Sequence, residues 1–102
     1  MSDFNELIKD SKPTLVDFFA TWCGPCKIQG PILEQVKASL GDAVNIIKID
    51  VDRNPELSAA YHIRSVPTLI LFVNGEAGWR GYGVHQADQL EAKLREFIDK
   101  EK

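Results

Sequence analysis

The apolar positions of this chain fall into helical and extended runs, and each run predicts one element. Thr14-Leu15-Val16-Asp17-Phe18-Phe19-Ala20 is apolar on both alternating faces, the pattern of a central strand covered by helices on both sides. Asp17 is its single anomaly. Before it, Phe4, Leu7 and Ile8 share a helical face behind Ser2 or Asp3 as a cap, and Lys12-Pro13 ends that short helix. After it, Ile28, Ile32, Leu33, Val36 and Leu40 recur on one side of a helix running from Cys23 to Leu40. Gly41 stands where a helix stop is expected, and Gly30-Pro31 in the interior predicts a kink.

Val44 to Ile49 reads as a strand that leaves through Asp50-Val51-Asp52. Asn54-Pro55-Glu56 combines a cap, an N1 proline and an acidic first turn, which starts a short helix reaching about Tyr61. Thr68 to Val73 is an apolar strand, Asn74-Gly75 a tight hairpin, and Ala77 to Tyr82 the returning strand. Gly81 and Gly83 bracket its end and predict a bulge or a close backbone approach. Leu90, Leu94, Phe97 and Ile98 line a final helix from Ala87 to Lys100. The order α-β-α-β-α-β-β-α joins a parallel pair to an antiparallel pair, giving an α/β fold with a mixed sheet of about four strands and helices on both faces.

With 102 residues, 44% of them hydrophobic, the chain has material for one domain, residues 1–102, with a modest core. A net charge of −3 and a pI near 5.3 argue against a nucleic-acid or anionic-membrane surface, so protein partners are expected. Met1 to Glu6 has neither a basic nor an apolar leader region, and no stretch has transmembrane length. The expected location is cytoplasmic.

The candidate chemistry lies in Trp22-Cys23-Gly24-Pro25-Cys26-Lys27, which holds the only two cysteines. Spacing of i and i+3 at a helix start lets the sulfurs meet across one turn, where unpaired N–H groups favour the Cys23 thiolate and Cys26 becomes the buried partner. Pro25 suits that first turn, and the indole of Trp22 is expected to shield the pair. Lowering a thiol pKa from about 8.5 to about 7 raises the thiolate fraction from roughly 3% to roughly 50%. Each thiolate also becomes about fivefold less nucleophilic, which leaves a gain of only about threefold. The larger benefit is the second thiol, which ends a mixed disulfide by intramolecular attack. Zinc would need further ligands, and only His62 and His85 are left, at unsuitable spacing; haem attachment would need a histidine at position 27. A structural disulfide closing so short a loop would stabilise little. No metal or bound cofactor is expected beyond a redox-active Cys23–Cys26 disulfide.

Beyond this pair, the chain resembles the thioredoxin family over essentially its whole length. The likeness rests on Phe18 to Lys27 with Pro31 after it, Asp17 six residues before the first cysteine, Lys48 to Asp52, Val66-Pro67-Thr68-Leu69 and Asn74-Gly75. It implies a cytosolic protein-disulfide reductase, re-reduced by a flavoprotein thioredoxin reductase that draws on NADPH. It further implies Cys23 as attacking thiol, Cys26 as resolving thiol, Asp17 as buried proton carrier with Lys48 as its partner, and a cis bond before Pro67. Trp22, Gly24, Pro25, Val66, Pro67, Tyr82 and Gly83 would form the face on which an extended substrate segment docks.

Departures from the family pattern are Phe19, Gly30, Trp79 and the absence of room for a first strand before Thr14. Without that strand, Val44 to Ile49 becomes a sheet edge, so the chain is expected to be a monomer or a weak edge-strand dimer. On residue patterns alone, Asp17 could be a solvated strand-end carboxylate and Lys48 a solubilising edge charge. His62 and His85 read as surface or loop histidines. The same fold could instead serve an oxidant or isomerase, or a binding module in which the dithiol is incidental.

Overall fold

The computed structural model describes residues 2–100. Its elements are α1 (Ser2–Leu7), β1 (Thr14–Phe19), α2 (Gly24–Leu40), a 3-10 turn (Gly41–Ala43), β2 (Asn45–Asp50), α3 (Pro55–Ala60), β3 (Thr68–Val73), β4 (Glu76–Tyr82) and α4 (Ala87–Lys100). The sheet order is β2-β1-β3-β4, with β1 parallel to β2 and antiparallel to β3, and β3 antiparallel to β4. The four-stranded mixed sheet is thus as the sequence predicts, and β2 lies at an edge. No described strand precedes β1.

Strand alternation sorts the core into two layers. Leu15, Leu69 and Leu71 face Leu33, Val36 and Leu40 of α2 and Leu90 and Leu94 of α4. Val16, Phe18, Ile70 and Phe72 face Phe4 and Ile8 at the N-terminal end and Leu57 of α3. Tyr61 closes this second layer edge-on to Phe4 and Phe72, with ring centroids 5.5 Å apart in both pairs. Helices therefore cover both faces. Asp17 lies two residues from Leu15, which puts it on the α2 and α4 side.

Several local expectations are corrected. The α1 helix includes Asp3 in its first turn, so Asp3 is no cap, and the residue before Ser2 lies outside the described residues. Asn54 holds the N-cap position of α3, but its Nδ2 donates to the Asp50 carbonyl at 2.9 Å and its side chain makes no capping bond. The α2 helix contains Pro31 in its interior and stops, as the sequence predicts, at Gly41, whose φ of 55° suits glycine and whose N–H bonds Lys37 O. Its buried positions are Cys26, Gln29, Leu33, Val36 and Leu40. Ile28 is instead 57% exposed, because that i, i+3, i+7 phase passes through Gln29. The β-bulge falls at Gly78, since Leu71 faces Trp79 while Phe72 faces Ala77.

Candidate active site

Cys23 is the N-cap of α2, with extended backbone dihedrals of φ −89° and ψ 115°. Its Sγ accepts the Cys26 backbone N–H at 3.2 Å, so a sulfur does here what a serine or aspartate oxygen does at other helix starts. Gly24 and Pro25 form the first two helical positions; proline fits there because its missing N–H has no acceptor within the helix. The two sulfurs form a disulfide across this turn, with Cα atoms 5.3 Å apart. Among the described residues no group of His, Cys, Asp or Glu is arranged to hold a metal ion.

Both cysteines are buried, at 4% and 5% exposure, whereas only Cys26 was expected to be. Ala20 and the partly buried Phe19, Val51 and Val66 pack around them. Trp22 contributes little cover: it is 71% exposed and its Nε1 donates to Asp52 Oδ2 at 2.9 Å. The indole is tied sideways to the loop after β2 and stands in solvent.

One further segment meets the dithiol, and a second is tied to it. Val66 and Pro67 are joined by a cis peptide bond, and the Val66 carbonyl oxygen lies 3.6 Å from Cys23 Sγ. Gly83, with φ 76°, donates its N–H to the Pro67 carbonyl at 2.9 Å, which fixes the end of β4 against the Val66-Pro67 segment. A close backbone approach, one of the two outcomes expected of Gly81 and Gly83, is thus found at Gly83. Tyr82 beside it is 63% exposed. The structure therefore sets Val66 against the Cys23–Cys26 pair and holds Tyr82-Gly83 beside Pro67 and Thr68.

Asp17 is fully buried on β1, and neither of its carboxylate oxygens has a hydrogen-bond partner among the described residues. Burial pushes its pKa from 3.8 up to about 6, and the charge of Lys48 pulls the other way. Lys48 is the register neighbour of Asp17, yet it is exposed, and its Nζ sits 5.0 Å from the centre of the Phe19 ring. Lys48 acts on Asp17 through its charge, with no ion pair between the two among the described residues, while its ammonium lies over an aromatic face. Lys48 and Cys26 line the same cleft of about 510 Å³ between α2 and β2, with Gly30 in its wall.

Sequence reasoning missed two residues. Gln29 is fully buried on α2, and its carboxamide bonds both backbone groups of His85. His85 lies in the loop before α4, as expected, but its backbone is held there by Gln29, while His62 is exposed, with φ 56°. The available signal was a polar residue on the apolar phase that carries Cys26 and Leu33.

A sequence model of the family described as Thioredoxin matches residues 1–96. A thioredoxin-like protein of Synechocystis sp. is 47% identical over 98 residues, covering 95% of this chain and 93% of the relative. A bifunctional thioredoxin reductase/thioredoxin of Mycobacterium leprae is 44% identical over 98 residues, covering 96% of this chain and 21% of that longer protein. Among solved structures, a mutant thioredoxin from Halobacterium salinarum superposes with a TM-score of 0.86 at 34% identity, covering 96% of this chain and 85% of that one. With a helix-capping Cys-Gly-Pro-Cys disulfide, a cis proline facing it and likeness along nearly its whole length, the chain belongs to the thioredoxin family.

Proposed function

We propose that this thiol-disulfide oxidoreductase reduces protein disulfides, with Cys23 as the attacking thiol and Cys26 as the resolving thiol. The observation that carries the assignment is the N-cap geometry: the Cys26 N–H points at Cys23 Sγ, and a helix N-terminus favours negative charge on that sulfur when the pair is reduced. The Cys23 thiolate attacks one sulfur of the substrate disulfide, forming a mixed disulfide and releasing the other substrate sulfur as a thiolate. The Asp17 carboxylate takes the proton of Cys26, whose thiolate then attacks Cys23 Sγ. That step forms the Cys23–Cys26 disulfide and frees the second substrate sulfur, so the substrate has gained two electrons. Lys48, close enough to lower the pKa of Asp17, keeps a fraction of this base ionised.

Exposed Trp22 and Tyr82 and the backbone of Gly24, Pro25, Val66, Pro67 and Gly83 form the face that receives an extended substrate segment. Re-reduction falls to a thioredoxin reductase using NADPH, a reading supported by the fused reductase and thioredoxin of Mycobacterium leprae. A reducing compartment such as the cytoplasm suits this direction of transfer. The test couples the chain to thioredoxin reductase and NADPH with insulin as the disulfide. One NADPH consumed per disulfide cleaved is expected, and no turnover would contradict the reading.

A further inference from the structure

Gln29 occupies the helical phase of α2 that otherwise buries Cys26, Leu33, Val36 and Leu40. A carboxamide with no exposed surface must find partners or destabilise the fold, and Gln29 finds them in one residue. Its Nε2 donates to the His85 carbonyl at 3.0 Å, and its Oε1 accepts the His85 N–H at 2.8 Å. Two bonds to one backbone unit fix orientation as well as distance.

His85 passes the constraint on. Its ring meets Trp79 edge-on with centroids 5.4 Å apart, and its Nδ1 lies 3.0 Å from the Gly83 carbonyl. With the proton on Nδ1, the imidazole donates that bond. Gly83 N–H then reaches Pro67 O, and the neighbouring Val66 carbonyl faces Cys23 Sγ. The contacts close a ring that leaves α2 at Gln29 and returns to the start of α2 at Cys23.

We propose that Gln29 is a positioning residue for protein-substrate docking. Its paired bonds to His85 set where Gly83 stands relative to Cys23, and so set the spacing of the docking face. This rests on the docking face proposed above. A merely structural Gln29 would affect folding but would not distinguish one disulfide substrate from another once the protein is folded. A docking role must discriminate: an extended polypeptide disulfide uses the face, whereas a small aromatic disulfide needs only the sulfur.

The experiment compares the pre-reduced wild type with Gln29→Met, which keeps length and removes both bonds. Second-order rate constants are measured for insulin and for dithiobis(nitrobenzoate), and Tyr82→Ala serves as the control for the face itself. Gln29→Met is expected to react on the order of three- to tenfold more slowly with insulin, with the small disulfide within about twofold of wild type. Equal change toward both substrates, or none, with selective loss in Tyr82→Ala, overturns the role of Gln29 and leaves the face intact. Selective loss in neither variant overturns the face and the role of Gln29 together. Should Gln29→Met not fold, His85→Phe keeps a ring against Trp79 and removes only the Nδ1 bond to Gly83. A selective loss there supports the relay, and unchanged selectivity overturns it.

Discussion

Asp17 is the residue on which stability and chemistry pull in opposite directions. A buried carboxyl group without hydrogen-bond partners resists ionisation, and its pKa rises from 3.8 to about 6. The folded value exceeds the unfolded one, so the native state loses stability as pH rises from 3.8 through about 6, and the loss is complete above that. A shift of that size corresponds to about 3 kcal/mol at full ionisation. Asp17→Asn is therefore expected to stabilise the fold by about 1–3 kcal/mol at pH 8, the lower end reflecting an amide left without partners, and by much less at pH 4. Denaturation curves at the two pH values check this, and an Asn variant no more stable at pH 8 contradicts it. In single-turnover kinetics the same variant should resolve mixed disulfides more slowly while its first attack changes less. Asp17 was legible in the sequence as a lone acid in an apolar strand. Its lack of a bonded Lys48 was not, because register places the two residues side by side without fixing where a long, hydrated side chain ends.

At the scale of elements, the helix and strand order follows from apolar periodicity, and the differences lie where tertiary contacts decide. Helical spacing allowed either Ile28 or Gln29 to face the core, and two backbone groups at His85 chose Gln29. Strand β4 shows the same dependence. An Ala side chain at Gly81 would bring Cβ to 2.5 Å from Trp79 Cη2 and 2.9 Å from His85 Cε1. Gly81→Ala is therefore expected to destabilise the fold by about 1–3 kcal/mol through overpacking, read as a lower denaturation midpoint. Unchanged stability would mean that the Trp79 and His85 rings move aside freely. Gly81 was legible as a special position. The reason for it was not, since Trp79 meets His85 only once β4 and the loop before α4 are in place.

Across the whole molecule, the sheet ends at β2 on one side, where Ile46 and Ile47 are only partly buried and Lys48 is exposed. An unpaired edge invites another strand, and the exposed lysine limits that pairing. Weak, concentration-dependent self-association is expected in sedimentation equilibrium, and a strict monomer at high concentration contradicts it. The site itself is a whole-molecule product. Cysteine spacing gave the dithiol, but its meeting with Val66 joins residues 43 positions apart in the chain, and the bond from Gly83 to Pro67 ties the end of β4 to that segment, which no local pattern encodes. The central claim is the division of labour between the two sulfurs, and trapping with client proteins tests it most directly. Cys26→Ser should accumulate mixed disulfides at Cys23, because attack proceeds and resolution does not, while Cys23→Ser should accumulate few. Equal trapping by both variants, or more by Cys23→Ser, would contradict it.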